Sequence, residues 1–265
     1  MKIMFFLLVA ALVRGAPSAN LWDKWEAHNP DSSITMDHGG FAQFLTTYVV
    51  PSADDGPNLV RYADVSPADK AGLGFYVNML ESTKVSDLTR NEQFAFWVNL
   101  YNAATVQLIL DKYPVSSIRK IKLGRLFAIG PWDSEILEIE GEDVSLNDIE
   151  HRILRPIWKD NRIHYAVNCA SYGCPNLQPV PFTVENTEEL LDIAARAYVN
   201  SERGVGLDGD SLYLSSIFDW YQADFGGNES GVIRHLLIYA DTDKAEMLRA
   251  YDGKIRYRYD WAINE

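Results

Sequence analysis

The stretch from Asn91 to Leu110, NEQFAFWVNLYNAATVQLIL, most constrains the fold, because it is apolar on nearly every side of a helix. A helix that is hydrophobic all round is buried, whereas a surface helix keeps a polar face. The stretch therefore predicts a central helix enclosed by the rest of the chain. Its polar residues Glu92, Asn99 and Asn102 should contact hydrogen-bonding partners or a pocket, because a buried amide left unpaired costs roughly 1 to 3 kcal/mol.

The rest of the chain alternates between short extended patterns and amphipathic helical patterns, which is typical of an α+β fold. We predict a central buried helix packed on a small, mostly antiparallel sheet, with surrounding helices. One such pattern places Ile163, Tyr165 and Val167 on one face of a strand. The predicted strands lie near Lys120, Ile136, His164, Leu212 and Tyr257.

The N-terminus has the layout of a secretory signal peptide. Lys2 precedes an apolar run from Ile3 to Val13, and small residues follow. The run is too short to cross a bilayer, which takes roughly 20 residues, and no later stretch is long and apolar enough to be a membrane helix. We predict a signal peptide over 1–19, a helical N-terminal extension over 20–64, a domain over 65–265, and a secreted or periplasmic location.

The formal net charge of −13 argues against a nucleic-acid-binding surface, because such a surface needs clustered Lys and Arg. The histidines and cysteines lack the His-x3-His and Cys-x2-Cys spacings of metal sites. We therefore expect no nucleic-acid partner, no metal and no cofactor. The expected partner is a small-molecule or peptide ligand of unknown identity.

The two cysteines, Cys169 and Cys174, lie on one turn-rich segment. In an oxidising compartment, two cysteines that are close in sequence and have no other partner tend to pair. If the chain is exported, we expect a disulfide bond between them.

The alternative is that Cys169 is a thiolate nucleophile. This chemistry needs a base near the sulfur and a third group that orients the base. His164 begins the segment that delivers Cys169, and Glu92 is a candidate for the orienting group. His151 is the alternative base, although a structural role suits it better because Glu150 and His151 are adjacent on a predicted helix. Asn99 and Asn102 are alternative orienting groups, and Asn99, Asn102 and His151 are also the candidates for ligand binding.

The order and content of four motifs resemble the family known as domain of unknown function 547, over about residues 65 to 265. The motifs are EQFAFWVNLYNA at 92–103, IEHRILR at 149–155, HYAVNCASYGCP at 164–175, and the late pair SSIFDWY at 215–221 with YDW at 259–261. Together the motifs are specific, whereas each alone is weak. The resemblance implies no particular activity, because the family's activity is not settled.

A fainter resemblance is to papain-like and transglutaminase-like thiol enzymes. It rests on a buried helix bearing Gln93 and Trp97 and a predicted strand reading HYAV from His164. Those enzymes carry the nucleophilic cysteine near the N-terminus of the helix, where the helix dipole lowers its pKa. This helix has no cysteine, so only Cys169 or Cys174 is available as a substitute.

The residues thus support three hypotheses. The first is a secreted thiol-dependent hydrolase or acyl transferase that uses Cys169. The second is a non-catalytic secreted binding domain with a Cys169–Cys174 disulfide. The third is an enzyme in which His164 and Glu92 act as base and acid without a thiol.

Overall fold

The structure is a computed structural model that describes residues 16–52, 56–124 and 129–265. Most of the predicted signal peptide, 1–15, therefore lies outside the described residues. The described residues form the predicted α+β fold, in which helices predominate. The α-helices are α1 Gly39–Tyr48, α2 Pro67–Glu81, α3 Arg90–Lys112, α4 Arg155–Trp158, α5 Ile163–Ala166, α6 Thr187–Asn200, α7 Ile217–Trp220, α8 Glu229–Tyr239 and α9 Thr242–Ala250. The strands are β1 Val49–Val50, β2 Leu59–Val60, β3 Glu135–Ile139, β4 Glu142–Ser145, β5 Val205–Asp208, β6 Ser211–Ser215 and β7 Arg256–Arg258.

Helix α3 is the predicted central helix, and nearly all of its side chains are buried. The hydroxyl of Thr89 accepts a hydrogen bond from the Glu92 backbone N–H at 3.3 Å, which satisfies one of the free donors at the helix start. The helix stops at Lys112, two residues before Pro114, because a residue that precedes proline is disfavoured in the helical region. The prediction of a buried central helix is confirmed.

The strands form three small sheets rather than one. In the described residues, β1 pairs with β2, β3 pairs with β4, and β5, β6 and β7 form a sheet in that order. All of these pairs are antiparallel except β6 with β7, which is parallel. The sheets are therefore small and mostly antiparallel, as predicted, but they are not joined.

Two of the predicted strands are wrong. Lys120 ends a 3-10 helix, Ile118–Lys120, and His164 lies in the one-turn helix α5. The reason at α5 is that Ile163, Tyr165 and their neighbours in that turn are all buried. When every side of a short segment is buried, alternation of apolar residues cannot distinguish a strand from a helical turn.

The region 20–64 packs directly on the central helix. It holds α1, the strand pair β1–β2, and the 3-10 helices Asp23–Glu26 and Tyr62–Asp64. The rings of Trp25 and Trp97 meet edge to face with centroids 5.1 Å apart. Only part of the region is therefore helical. Its apolar side chains belong to the same core as those of α3.

Two apolar cores meet at α5. The first surrounds α3 and includes Ile163 and Ala166. The second lies between α6, α8 and β6 and includes Tyr165 and Tyr198. Helix α5 therefore contributes side chains to both cores, and the cysteine-containing segment that follows it is anchored from both sides. Within the described part of the chain, no helix is long and apolar enough to span a membrane.

Candidate functional site

A pocket lies where the two cores meet, and it is lined by residues from distant parts of the chain. Its cavity is about 70 Å³, which is large enough for a small chemical group. We call it the thiol pocket. Its lining consists of Tyr101, Trp132, Glu150, His164, Val167, Cys169, Cys174, Ile217, Trp220, Tyr221, Tyr259 and Trp261.

The sulfur of Cys169 is surrounded by hydrogen-bonding groups. Its Sγ lies 3.3 Å from the Sγ of Cys174, 2.9 Å from the Oγ of Ser171 and 3.2 Å from the hydroxyl of Tyr259. The hydrogen bond with Cys174 lowers the pKa of the Cys169 thiol most. Burial opposes it, Ser171 and Tyr259 add to it, and the resulting pKa is about 7. Because Cys169 is only half-buried, its sulfur combines thiolate character with access from the pocket.

Cys174 is buried, and it remains a thiol. Burial raises the pKa of Cys174, so Cys174 keeps its proton and donates it in a hydrogen bond to the Cys169 sulfur when Cys169 ionises. The two sulfurs are 3.3 Å apart, whereas a disulfide bond measures about 2.05 Å. Both cysteines are free, so the predicted disulfide is absent from this structure. The disulfide was predicted because two cysteines that are close in sequence tend to pair in an oxidising compartment. In the structure, the loop between them holds the two sulfurs at hydrogen-bonding distance instead.

The loop between the cysteines is fixed against the C-terminal segment. The backbone N–H of Gly173 donates to the carbonyl of Asp260 at 2.8 Å. A Cβ at position 173 would lie 2.7 Å from the Asp260 nitrogen, so only glycine fits this close approach. This contact places Tyr259 beside Cys169 although the two residues are far apart in sequence.

His164 lies between two carboxylates. Its Nε2 is 2.7 Å from Asp224 Oδ2, and its Nδ1 is 3.5 Å from Glu150 Oε1. The imidazole also stacks on the ring of Tyr221 with centroids 4.2 Å apart. The ring is therefore held in one orientation, and Nδ1 forms no hydrogen bond with another described residue.

Both carboxylates stay ionised because of their neighbours. Burial alone would raise the pKa of Glu150, but His151, His164 and Arg155 together lower it to about 2. Burial likewise opposes ionisation of Asp224, but hydrogen bonds from His164 and Arg155 hold its pKa well below the usual range. Arg155 Nε lies 2.6 Å from Asp224 Oδ2. The site thus combines buried positive and negative groups that compensate one another.

A π-helix, Asp148–Leu154, supplies Glu150 to the thiol pocket. Such wide turns are frequent at functional sites. His151 follows directly and is buried, but it does not line the thiol pocket. Arg155 Nη1 donates a hydrogen bond to His151 Nδ1 at 3.0 Å. His151 therefore contacts Arg155, which pairs with Asp224, but it lies outside the thiol pocket.

Glu92 does not line the thiol pocket. Its Oε1 accepts a hydrogen bond from the Met36 backbone N–H at 2.5 Å, so it binds the N-terminal region to the start of α3. Glu150, not Glu92, is the glutamate that faces His164. The structure therefore gives no direct pairing of His164 with Glu92.

The two buried asparagines of α3 form hydrogen bonds with backbone groups. Asn102 donates to the Ala166 carbonyl at 2.9 Å and accepts from the Asn168 N–H at 2.8 Å. Asn99 forms the same pair of bonds with the backbone of Phe182, at 2.7 and 3.0 Å. Asn102 thus fixes the segment that leads from α5 to Cys169, whereas Asn99 fixes a segment outside the pocket.

Several residues of this site were not among the predicted site residues. Ser171 and Tyr259 lie inside motifs that were recognised, but their hydroxyl groups were not assigned a role. Arg155 ends the motif at 149–155, whereas Asp224 lies in none of the motifs, and the contacts of Asp224 with Arg155 and His164 across the fold are not visible in the sequence. In the described residues, no group of three or more His, Cys, Asp or Glu side chains is arranged to hold a metal ion.

A family model described as "Protein of unknown function, DUF547" matches residues 85–199 of the chain. The match includes the motifs at 92–103, 149–155 and 164–175, and it confirms the resemblance found in the sequence; the late pair lies beyond it. No curated protein and no solved structure matches the chain. The likeness to papain-like enzymes gains no support from these comparisons, and the Gln93 amide donates to the carbonyls of Ala27 and Val85 instead of facing the thiol pocket.

Proposed function

We propose that this chain, whose residues 85–199 match the DUF547 family, is a thiol-dependent hydrolase or acyl transferase with Cys169 as the nucleophile. One observation carries the proposal: the sulfur of Cys169 has a pKa lowered to about 7 in a pocket that it shares with His164. The thiolate is the reactive form of cysteine. The lowered pKa therefore increases the share of Cys169 that is in the reactive form near neutral pH.

In the proposed reaction, the Cys169 thiolate attacks the carbonyl carbon of an ester or amide. The new carbon–sulfur bond forms, the bond to the leaving group breaks, and the alcohol or amine departs after it takes up a proton. Water, or an acceptor amine or alcohol, then attacks the thioester and releases the thiolate again. Water as acceptor gives a hydrolase, and another nucleophile gives an acyl transferase.

The neighbouring residues have distinct roles in this proposal. His164 transfers the proton to the leaving group and takes one from the acceptor, while Glu150 and Asp224 position its ring. Cys169 and His164 form no direct hydrogen bond in the structure. Such bonds are often long without substrate and tighten when substrate binds.

Acyl transfer can be tested with p-nitrophenyl acetate. We expect a burst of p-nitrophenol equal to one acetyl group per protein, with the acetyl group located on Cys169 by mass spectrometry. Cys169→Ala should lose the burst. Cys174→Ser is the matched control, because its hydroxyl still donates to the Cys169 sulfur, and it should keep the burst. Equal bursts in the native protein and Cys169→Ala would contradict the proposal.

A second candidate is the non-catalytic binding domain, and the lining of the pocket favours it. Six aromatic side chains surround the cavity: Tyr101, Trp132, Trp220, Tyr221, Tyr259 and Trp261. Tyr and Trp combine apolar area with a hydrogen-bonding tip, which suits small-molecule ligands. Because both cysteines are free thiols, this second candidate is a binding domain without a Cys169–Cys174 disulfide. A folded protein that shows no acetyl transfer at Cys169 would favour it.

Export is a further part of the proposal. Its support is the sequence of the N-terminus, in which Lys2 precedes the apolar run Ile3–Val13. We expect the mature protein to be secreted or periplasmic and to lack these residues. N-terminal sequencing of the protein from its native host tests this, and a mature chain that begins at Met1 would contradict it.

A further inference from the structure

A second and larger cavity borders the thiol pocket. Its volume is about 710 Å³, and its lining includes Arg203, Arg258, Tyr172 and Tyr259. We call it the arginine groove. Tyr259 lines both cavities and contacts the sulfur of Cys169. A molecule bound in the groove would therefore lie next to the proposed nucleophile.

The guanidinium of Arg203 contacts only neutral acceptors. It donates to the Cys174 carbonyl and, at 2.6 Å, to the Asn176 side-chain oxygen. Its Nε is buried and has no hydrogen-bond partner among the described residues. None of the carboxylates in the described residues lies within 4.0 Å of Arg203, since it appears in none of the ion pairs. A half-buried cation with a free donor is costly unless a ligand compensates it.

Arg258 also lacks a carboxylate within 4.0 Å in the described part of the chain, and its Nη2 donates to the Glu202 carbonyl at 2.9 Å. The acidic side chains of the groove are directed to other donors. The Glu202 carboxylate lies 3.5 Å from Lys244 Nζ, and Asp260 Oδ1 accepts from the Ala262 N–H at 2.8 Å. Among the residues that the structure describes, neither guanidinium group is thus neutralised by a carboxylate.

We propose that the arginine groove binds an anionic group, a carboxylate or a phosphate, carried by the acyl substrate. A guanidinium matches the geometry of both anions and forms its strongest hydrogen bonds with them. This inference rests on the proposed function in one respect: it assigns the bound anion to the molecule that Cys169 attacks. The anion-binding site itself is independent of the reaction.

Two alkylating reagents that differ in charge test the groove. Iodoacetate is anionic and iodoacetamide is neutral, and both react with the same thiolate. The ratio of their rates at Cys169 therefore does not depend on the pKa of the thiol. Relative to the ratio for N-acetylcysteine, we expect the native protein to favour iodoacetate by roughly threefold or more, the effect of a partly exposed ion pair.

Arg203→Gln and Arg258→Gln should each move this ratio toward that of N-acetylcysteine. Arg258→Gln changes an exposed side chain, so it remains informative if Arg203→Gln does not fold. Arg256→Gln is the matched control: Arg256 lies on the same strand but is not among the residues that line the groove, and its Nη1 donates to the Tyr213 hydroxyl. This variant should keep the native ratio.

Inorganic phosphate provides the second measurement. It should slow the iodoacetate reaction at Cys169 with saturation, beyond the effect of chloride at the same ionic strength. A ratio equal to that of N-acetylcysteine, or phosphate and chloride acting alike, would overturn the inference even if the acetyl burst persists. A high ratio without any acetyl burst would keep the groove and reject the proposed function.

Discussion

The Cys174 thiol lowers the pKa of Cys169 most, and two hydroxyl groups from different parts of the chain, Ser171 and Tyr259, add to this effect. Both stabilise the thiolate, so removing either favours the thiol and raises the pKa. We expect Ser171→Ala and Tyr259→Phe each to raise the pKa of Cys169 from about 7 by roughly 1 to 2 units, the worth of one hydrogen bond to a charged group.

The pH dependence of iodoacetamide alkylation at Cys169 measures this change. Its midpoint should move upward in both variants. Tyr172→Phe is the control, because the Tyr172 side chain is 41% exposed and does not contact the Cys169 sulfur. Midpoints that stay at the native value in both variants would show that the hydroxyl groups do not set the pKa.

Single residues also show what the sequence could not predict. The sequence placed His164 at the start of the segment that delivers Cys169, and both residues line the thiol pocket. It did not identify the carboxylate partner of His164. Glu92 and Glu150 are both buried glutamates, and only the folded arrangement decides which one faces the imidazole.

At the level of elements, helix α3 holds the cysteine segment through Asn102. The Asn102 side chain forms hydrogen bonds with the backbone on both sides of Val167. The Asn99 side chain forms the same two hydrogen bonds with the backbone of Phe182, which lies away from the thiol pocket. We expect Asn102→Leu and Asn99→Leu each to lower the free energy of unfolding by roughly 1 to 3 kcal/mol, because each leaves buried backbone groups unpaired.

Only Asn102→Leu should also slow acetyl transfer and alkylation at Cys169, because only Asn102 positions the segment that leads to the sulfur. Urea unfolding measures the stability of both variants, and the alkylation rate measures the site. Asn99→Leu is thus a control with a matched loss of stability. Equal effects of both variants on the rate would mean that general destabilisation, not positioning, causes the change.

The elements were predicted unevenly, for a physical reason. Helix α3 is long, and its apolar residues leave no polar face, so its type and burial follow from the sequence. Helix α5 is one turn long and buried on all sides, and a pattern of four residues fits a strand equally well. The π-helix Asp148–Leu154 departs from the regular helical spacing on which the interpretation of Glu150 and His151 was based.

At the scale of the whole molecule, the charged network joins parts of both cores. Glu150 is on the π-helix beside the first core, and Asp224 precedes Phe225 of the second core. His164 contacts both carboxylates. The network therefore contributes to the contact between the two cores as well as to the site, and its protonation should affect the stability of the entire fold.

Acid unfolding tests this role. The pKa of Glu150 is lowered from 4.5 to about 2, so between these values the unfolded chain binds a proton that the folded protein does not. Its contribution to stability is thus complete above about pH 4.5 and is lost as the pH falls through about 2.

We expect the difference in the free energy of unfolding between the native protein and Glu150→Gln to shrink by roughly 1 to 3 kcal/mol between about pH 5 and pH 2. At neutral pH the variant should be the less stable, because Arg155 loses a buried counter-charge. Urea unfolding at several pH values, followed by tryptophan fluorescence, measures this. Glu189 lies on the exposed side of α6, so the free energy of unfolding of Glu189→Gln should change with pH in parallel with that of the native protein. A Glu150→Gln curve that is also parallel would show that the buried carboxylate does not couple folding to pH.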